Sequence, residues 1–145
     1  MGALEYSVAT LRFFGDDLVP DEISALLSGS PTASQHKGQE RKSKSGVVGI
    51  AKTGSWRLTA TRREPEDLEA QIFEILDQLT QDLSMWAQLS SRYQPDLFCG
   101  IFMAKSNDGL ALSAKAMLAL GQRGISLERV MNFALVTITY TDEAS

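Results

Sequence analysis

The sequence predicts an α+β fold. The expected architecture is a ferredoxin-like βαββαβ core with an appended αβ unit, a mainly antiparallel sheet, and helices packed on one face. Three observations carry this. Stretches with period-two alternation are interleaved with stretches of period-3.6 apolar spacing, in the order β-α-β-β-α-β and then α-β. The chain is 145 residues long, which suits a single domain. Apolar residues make up 43% and charged residues 22%, a balance that folds rather than stays disordered.

Residues 6–14 form the first strand, with Ala9, Leu11 and Phe13 on one face and Tyr6, Val8, Thr10, Arg12 and Phe14 on the other. Gly15, Asp16 and Asp17 break it. Pro20 suits a first helical turn, Asp21 and Glu22 lie at the positive end, and Ile23, Leu26 and Leu27 form the buried stripe of a helix over 20–28. Gly29 and Pro31 stop that helix. Residues 30–46 are rich in Ser, Lys, Gln and Gly and read as a long mobile polar loop. Residues 47–52 and 55–61 read as a hairpin through a Thr53-Gly54 turn, with Trp56, Leu58 and Ala60 inward and Arg57, Thr59 and Thr61 outward.

Pro65 opens the strongest helix, over 65–82. Leu68, Ile72, Ile75, Leu76 and Leu79, continued by Leu83, make one apolar stripe. Trp86 and Leu89 suggest a further turn or a short second helix before Pro95-Asp96. Residues 97–104 are apolar on both faces, as in a strand covered on both sides. Asn107-Asp108-Gly109 reads as a turn and 110–112 as a short returning strand. Ser113 caps a small-residue helix through Leu120, ended by Gly121 and Gly124. Residues 125–130 and 134–141 supply the last strands.

Composition excludes several function classes. One Cys excludes an intramolecular disulfide or a Cys-based zinc cluster, and one His excludes multi-histidine metal sites. Neither metal nor cofactor is expected. Cys99, on an apolar strand, reads as a small core residue. The chain has no run of about 18 apolar residues, so no membrane span is expected. The opening residues carry no basic segment followed by an apolar one, so the expected setting is cytoplasmic.

The net charge of −4 argues against nucleic acid as the main partner. Its distribution is uneven. Lys37, Arg41, Lys42, Lys44, Lys52, Arg57, Arg62 and Arg63 face only Glu40 in one block, and seven acids from Glu64 to Asp82 follow without a Lys or Arg. Such runs are ordinarily solvated faces. The functional reading of the basic block is a surface for an acidic protein partner.

Candidate site residues are few. Asp16 and Asp17 sit at a strand-to-helix corner, where carboxylates serve turns and caps far more often than chemistry. Lys37 and Gly38 offer a cation and an approachable backbone N–H, without the strand, glycine spacing and helix start of a phosphate loop. His36 beside them reads as a solvated loop histidine. Arg41, Lys42 and Lys44 form the densest part of the basic block. Arg57 lies on the outward face of its strand.

The run Leu11-Arg12-Phe13-Phe14-Gly15-Asp16-Asp17-Leu18-Val19-Pro20-Asp21-Glu22-Ile23, followed by Leu26-Leu27-Ser28-Gly29, resembles the opening of an uncharacterised bacterial family, domain of unknown function 4279. The Lys37-Gly38 pair, the Gly54-Ser55-Trp56-Arg57-Leu58 strand, the helix around Leu68 and the Gly109-Leu110-Ala111-Leu112-Ser113 turn are similar too. The basic insert at 41–44 and the apolar run at 131–140 depart from the family pattern. The resemblance implies a compact bacterial single-domain protein and transfers no catalytic residue.

Two function classes follow. One is a non-catalytic, regulatory or immunity-type domain that binds an acidic protein through its basic block. The other is a small enzyme or small-anion-binding protein that uses the Asp16-Asp17 corner with Lys37. The sequence does not fix an oligomeric state.

Overall fold

The computed structural model describes residues 4–103 and 112–133. In chain order the elements are β1 (Leu4–Gly15), α1 (Pro20–Leu27), β2 (Ala33–Gln35), β3 (Glu40–Lys42), β4 (Val48–Ile50), β5 (Gly54–Thr59), α2 (Leu68–Asp77), α3 (Leu83–Tyr93), β6 (Asp96–Met103), α4 (Ala114–Gln122) and β7 (Ser126–Phe133). Five strands form one sheet in the order β2-β5-β1-β6-β7, and β3 pairs with β4 in a separate two-stranded ribbon. Every described pair is antiparallel except β6 with β7.

The fold is mixed α+β, with a mostly antiparallel sheet and helices packed against it, and it is more elaborate than a plain βαββαβ core. The β3–β4 ribbon is inserted between β2 and β5. A second helix follows α2. The α4 helix then leads to β7 through a parallel crossover from β6.

Alternation along β1 sets the layers. Ser7, Ala9, Leu11 and Phe13 are buried, while Tyr6, Val8, Thr10, Arg12 and Phe14 are half-buried on the opposite face. On the neighbouring strands Trp56, Leu58, Leu97 and Cys99 join the buried face. The helices supply the other half of the core through Ile23 and Leu27 of α1, Leu68, Ile72, Ile75 and Leu76 of α2, and Trp86 and Leu89 of α3. Phe13 meets Trp56 edge-on at 5.7 Å and stacks near Trp86 at 6.3 Å, which ties β1, β5 and α3 together. Both indoles are satisfied: Trp56 Nε1 donates to Ser24 Oγ at 3.0 Å and Trp86 Nε1 to the Thr80 carbonyl at 2.9 Å.

A buried polar contact anchors α2. Ser7 Oγ donates to Gln71 Oε1 at 2.6 Å, and Gln71 Nε2 donates to the carbonyls of Ser7 and Thr61. At the end of β1, Gly54 packs so close to Gly15 that a Cβ would stand 2.8 Å from the Gly15 carbonyl oxygen.

Several sequence expectations change. The segment at 30–46 is not a loop throughout: it holds β2 at the sheet edge and β3 of the ribbon. The expected 47–61 hairpin does not form. β4 pairs with β3, and β5 pairs with β1 and β2. The long helix divides at residues 78–82, where Thr80 and Asp82 turn the chain and Asp82 caps α3 by accepting from the Ser84 amide. Leu83 therefore opens a new helix and is exposed rather than continuing the stripe. Trp56 and the α2 stripe share the buried sheet face, with Trp56 bonded to Ser24 of α1 and α2 packed chiefly over β1. Phe98 lies half-buried on the sheet face away from the described helices, so β6 is not sealed on both sides there. The Asn107-Asp108-Gly109 turn, nearly all of the 110–112 strand and the 134–141 strand lie outside the described residues.

Leu76 is buried within the α2 stripe. Leu76→Ala should cost about 2–5 kcal/mol in urea unfolding. A loss below about 0.5 kcal/mol would place it on the surface. Burial pushes the Cys99 thiol up to about 12, so a thiol reagent at neutral pH should label the protein only as it unfolds. Labelling of the folded chain at the rate of a free thiol would contradict this.

Candidate functional site

Three neighbouring surfaces carry the residues that chemistry could use. The first is the corner after β1. Lys37 Nζ lies 3.4 Å from Asp16 Oδ2, with both side chains more than half exposed. Hydrogen bonding from Thr53, together with Lys37, holds the Asp16 carboxyl below its ordinary value. Asp16 is thus an ionised, solvated partner and a weak proton acceptor. Asp17 turns the other way, toward Arg92 of α3 at 3.8 Å, and Arg92 also reaches Glu22 at 3.3 Å. The two adjacent carboxylates diverge, as neighbours at a strand end do.

Gly38 has a left-handed backbone with φ of 89°, and its N–H donates to the Ala51 carbonyl at 2.9 Å. That amide is committed to the base of the ribbon. His36 is exposed, with Nδ1 3.2 Å from the Lys37 carbonyl oxygen. A shallow cleft of about 480 Å³ lies between His36, Gln39 and Ser34 on one side and Val19, Pro20 and Asp21 on the other.

The second surface is the ribbon. Ala51 donates to the Gln39 carbonyl and Ser43 to the Val47 carbonyl, so the paired backbone runs from Gln39 to Ala51 around a turn at Ser43–Gly46. Gly46 has φ of 88°, the conformation that lets this turn close. Every residue of β3 and β4 is exposed. Arg41, Lys42 and Lys44 therefore project into solvent, as do Val47, Val48 and Ile50, which are 67%, 52% and 60% exposed. Arg41 is steadied by donating to Gln35 Oε1 of β2.

The third surface is the sheet face away from the described helices. Register places Ala33, Arg57, Arg12, Asp96 and Ser126 in one row across β2, β5, β1, β6 and β7. The row beside it holds Thr59, Thr10, Phe98 and Glu128. Arg12 grips Asp96 with two parallel bonds, Nε to Oδ1 at 2.7 Å and Nη2 to Oδ2 at 2.8 Å. Its guanidinium also lies over Phe98 at 4.5 Å and Phe14 at 5.2 Å. Donating to the Asp96 carboxylate raises the Arg12 pKa. Arg57 approaches Phe14 at 5.5 Å from the other side and makes no ion pair among the described residues.

The structure thus brings Asp16 to Lys37, separates both from Asp17, places Arg41, Lys42 and Lys44 on the ribbon, and sets Arg57 on the open sheet face. Sequence reasoning did not single out Arg12, Asp96, Phe14 and Phe98. The outward positions of β1 hinted at the first and third. Nothing local could join Arg12 to Asp96, 84 positions away. No group of three or more metal-ligating residues occurs among the described residues, and none of their helices is long and apolar enough to cross a membrane.

Residues 5–133 match the family model described as Domain of unknown function (DUF4279), and the chain belongs to that family. No curated protein and no solved structure matches it.

The Arg12–Asp96 pair is mostly shielded, with side chains 24% and 20% exposed. Asp96→Ala should cost about 1–2 kcal/mol, because it strands a half-buried guanidinium. Lys37→Ala, which removes an exposed contact, should change stability by less than about 0.5 kcal/mol. Equal effects in chemical unfolding would show that Arg12 does not depend on its partner.

Proposed function

We propose that this is a non-catalytic partner-binding domain whose contact element is the β3–β4 ribbon, and that its partner is an acidic protein. The observation that carries this reading is the ribbon itself. A two-stranded ribbon is marginal in water without a packed face. This one exposes three β-branched side chains among Arg41, Lys42 and Lys44. An acidic partner would neutralise the cations and bury Val47, Val48 and Ile50 in one contact.

A regulatory or immunity-type role in the bacterial cytoplasm suits a small domain of this kind. The core reads as ferredoxin-like because β5 lies between β1 and β2 while β1 lies between β5 and β6. Such folds serve many functions, so the ribbon and not the fold supports the reading.

A second reading rests on the Asp16–Lys37 contact beside His36, as a small-anion or catalytic site. Its carboxylate is exposed and already paired, which favours binding over chemistry. Turnover of a small molecule that is lost in Asp16→Asn would move the assignment to this corner.

The test of the first reading is retention of protein partners on the immobilised chain. Arg41→Ala, Lys42→Ala and Lys44→Ala combined should weaken binding about ten- to hundredfold, at about 0.5–1 kcal/mol per charge. Thermal stability should stay unchanged. Binding should also weaken with added salt, since the screening length is about 8 Å at physiological ionic strength. Wild-type affinity in the triple variant would overturn the assignment to the ribbon.

A further inference from the structure

The open sheet face holds two arginines in one cross-strand row, and only one of them has an anion. Arg12 and Arg57 are direct partners in the β1–β5 register. Like charges placed opposite one another on a sheet repel. On the far side Asp96 answers Arg12 with a two-bond clamp. On the near side Arg57 is opposed by Ala33 of β2, which offers no charge. Arg57 is exposed and forms no ion pair among the described residues.

Around Arg57 the face forms a shallow groove of about 350 Å³ lined by Thr10, Arg12, Ala33, Arg57, Thr59 and Phe98. The Thr10 and Thr59 hydroxyls lie 3.0 Å apart, so one donates to the other and the second hydroxyl hydrogen is free for a ligand. Phe98 lines the groove beneath the Arg12 guanidinium. The groove also adjoins the ribbon: Gln35 lies on the same face of β2 as Ala33, two residues along, and accepts from Arg41. A chain leaving the ribbon at Arg41 would reach Arg57 across the edge strand.

We propose that this groove receives a carboxylate from an extended acidic segment of the protein partner, with Arg57 as its anchor. The bound carboxylate does for Arg57 what Asp96 does for Arg12, as a planar two-bond contact. It sits against the Thr10 and Thr59 hydroxyls and relieves the repulsion between the two guanidinium groups. The inference rests on the reading of the domain as a binder of acidic protein and adds where on it the acidic groups are recognised.

The test is a titration of the isotope-labelled full chain with an acetylated oligoglutamate peptide, followed by NMR. Saturable shifts are expected at the Arg57 side-chain Nε and at the amides of Thr10, Ala33 and Thr59. Arg57→Gln should weaken the peptide at least about fivefold more than Arg62→Gln, which removes the same charge elsewhere on the surface. Thermal unfolding of both variants confirms that each is folded. Equal weakening by the two variants, or no saturable shift at Arg57, overturns the proposal. If Arg57→Gln is silent while the triple ribbon variant loses the peptide, the groove is excluded and the ribbon reading stands. If Arg57→Gln loses the peptide and the triple variant does not, the groove stands and the ribbon reading falls. Inorganic phosphate is the second arm: phosphate binding at Arg57 as tightly as the peptide would mean a compact oxyanion, and would overturn the extended segment.

Discussion

The burial of Phe13 between Trp56 and Trp86 is the contact on which the rest of the molecule depends. It joins the central strand β1, its neighbour β5 and the helix α3 at one point, and all three side chains are fully buried. Burying a large apolar side chain contributes about 1.5–3 kcal/mol, and an aromatic pair adds about 0.5–1.5 kcal/mol beyond its area. Because strands have period two, fixing Phe13 inward also fixes Ala9 and Leu11 inward. The same constraint turns Thr10, Arg12 and Phe14 outward, and the register then aligns them with Arg57, Thr59, Asp96 and Phe98. The chemistry of the outer face is thus a consequence of the core.

The two faces of the sheet have different economies. The helix-covered side is apolar and closed; the Ser7–Gln71 contact satisfies its polar groups at α2, while the Tyr93 hydroxyl of α3 is buried without a hydrogen-bond partner among the described residues. The outer side is held by charge and ring contacts: Arg12 is gripped by Asp96 and lies over two phenylalanine rings. The ribbon stands beyond both, since its residues are all exposed and its own backbone pairing is its main support. The proposed contact surface is therefore separated in space from the core that carries stability. On the proposed reading, a substitution on the ribbon would act on binding with little effect on folding, while a substitution at Phe13 or Trp86 would remove the platform on which the ribbon and the groove are built.

Much of the core was legible in the sequence because it is written in local periodicity. Ala9, Leu11 and Phe13 repeat at two, and Leu68, Ile72, Ile75 and Leu76 repeat at helical spacing; both sets are buried as expected. The first helix was legible from Pro20 and from Gly29, although the left-handed residue that ends it is Ser28. Pairing was less legible. Thr53-Gly54 looks like a hairpin turn, yet β5 finds its partners in β1 and β2, which come earlier in the chain. β2 and β3 carry no apolar alternation because both are exposed at an edge, where backbone hydrogen bonds and not side-chain burial hold the strand. Of the candidate site, Lys37 and Asp16 do meet, whereas the Arg12–Asp96 clamp depends on long-range register that no local pattern encodes.

On the proposed reading, the helix-covered sheet carries the fold, and the ribbon is energetically outboard and free to engage a partner. Residue-resolved hydrogen exchange of the free protein tests this most directly. The amides of Leu11 and Phe13 should exchange only through global unfolding, while those of Arg41, Lys42 and Val48 should exchange through local opening, at least about a hundredfold faster. Ribbon amides as slow as those of β1 would show that the ribbon opens only with the core, and would contradict the separation of folding from recognition.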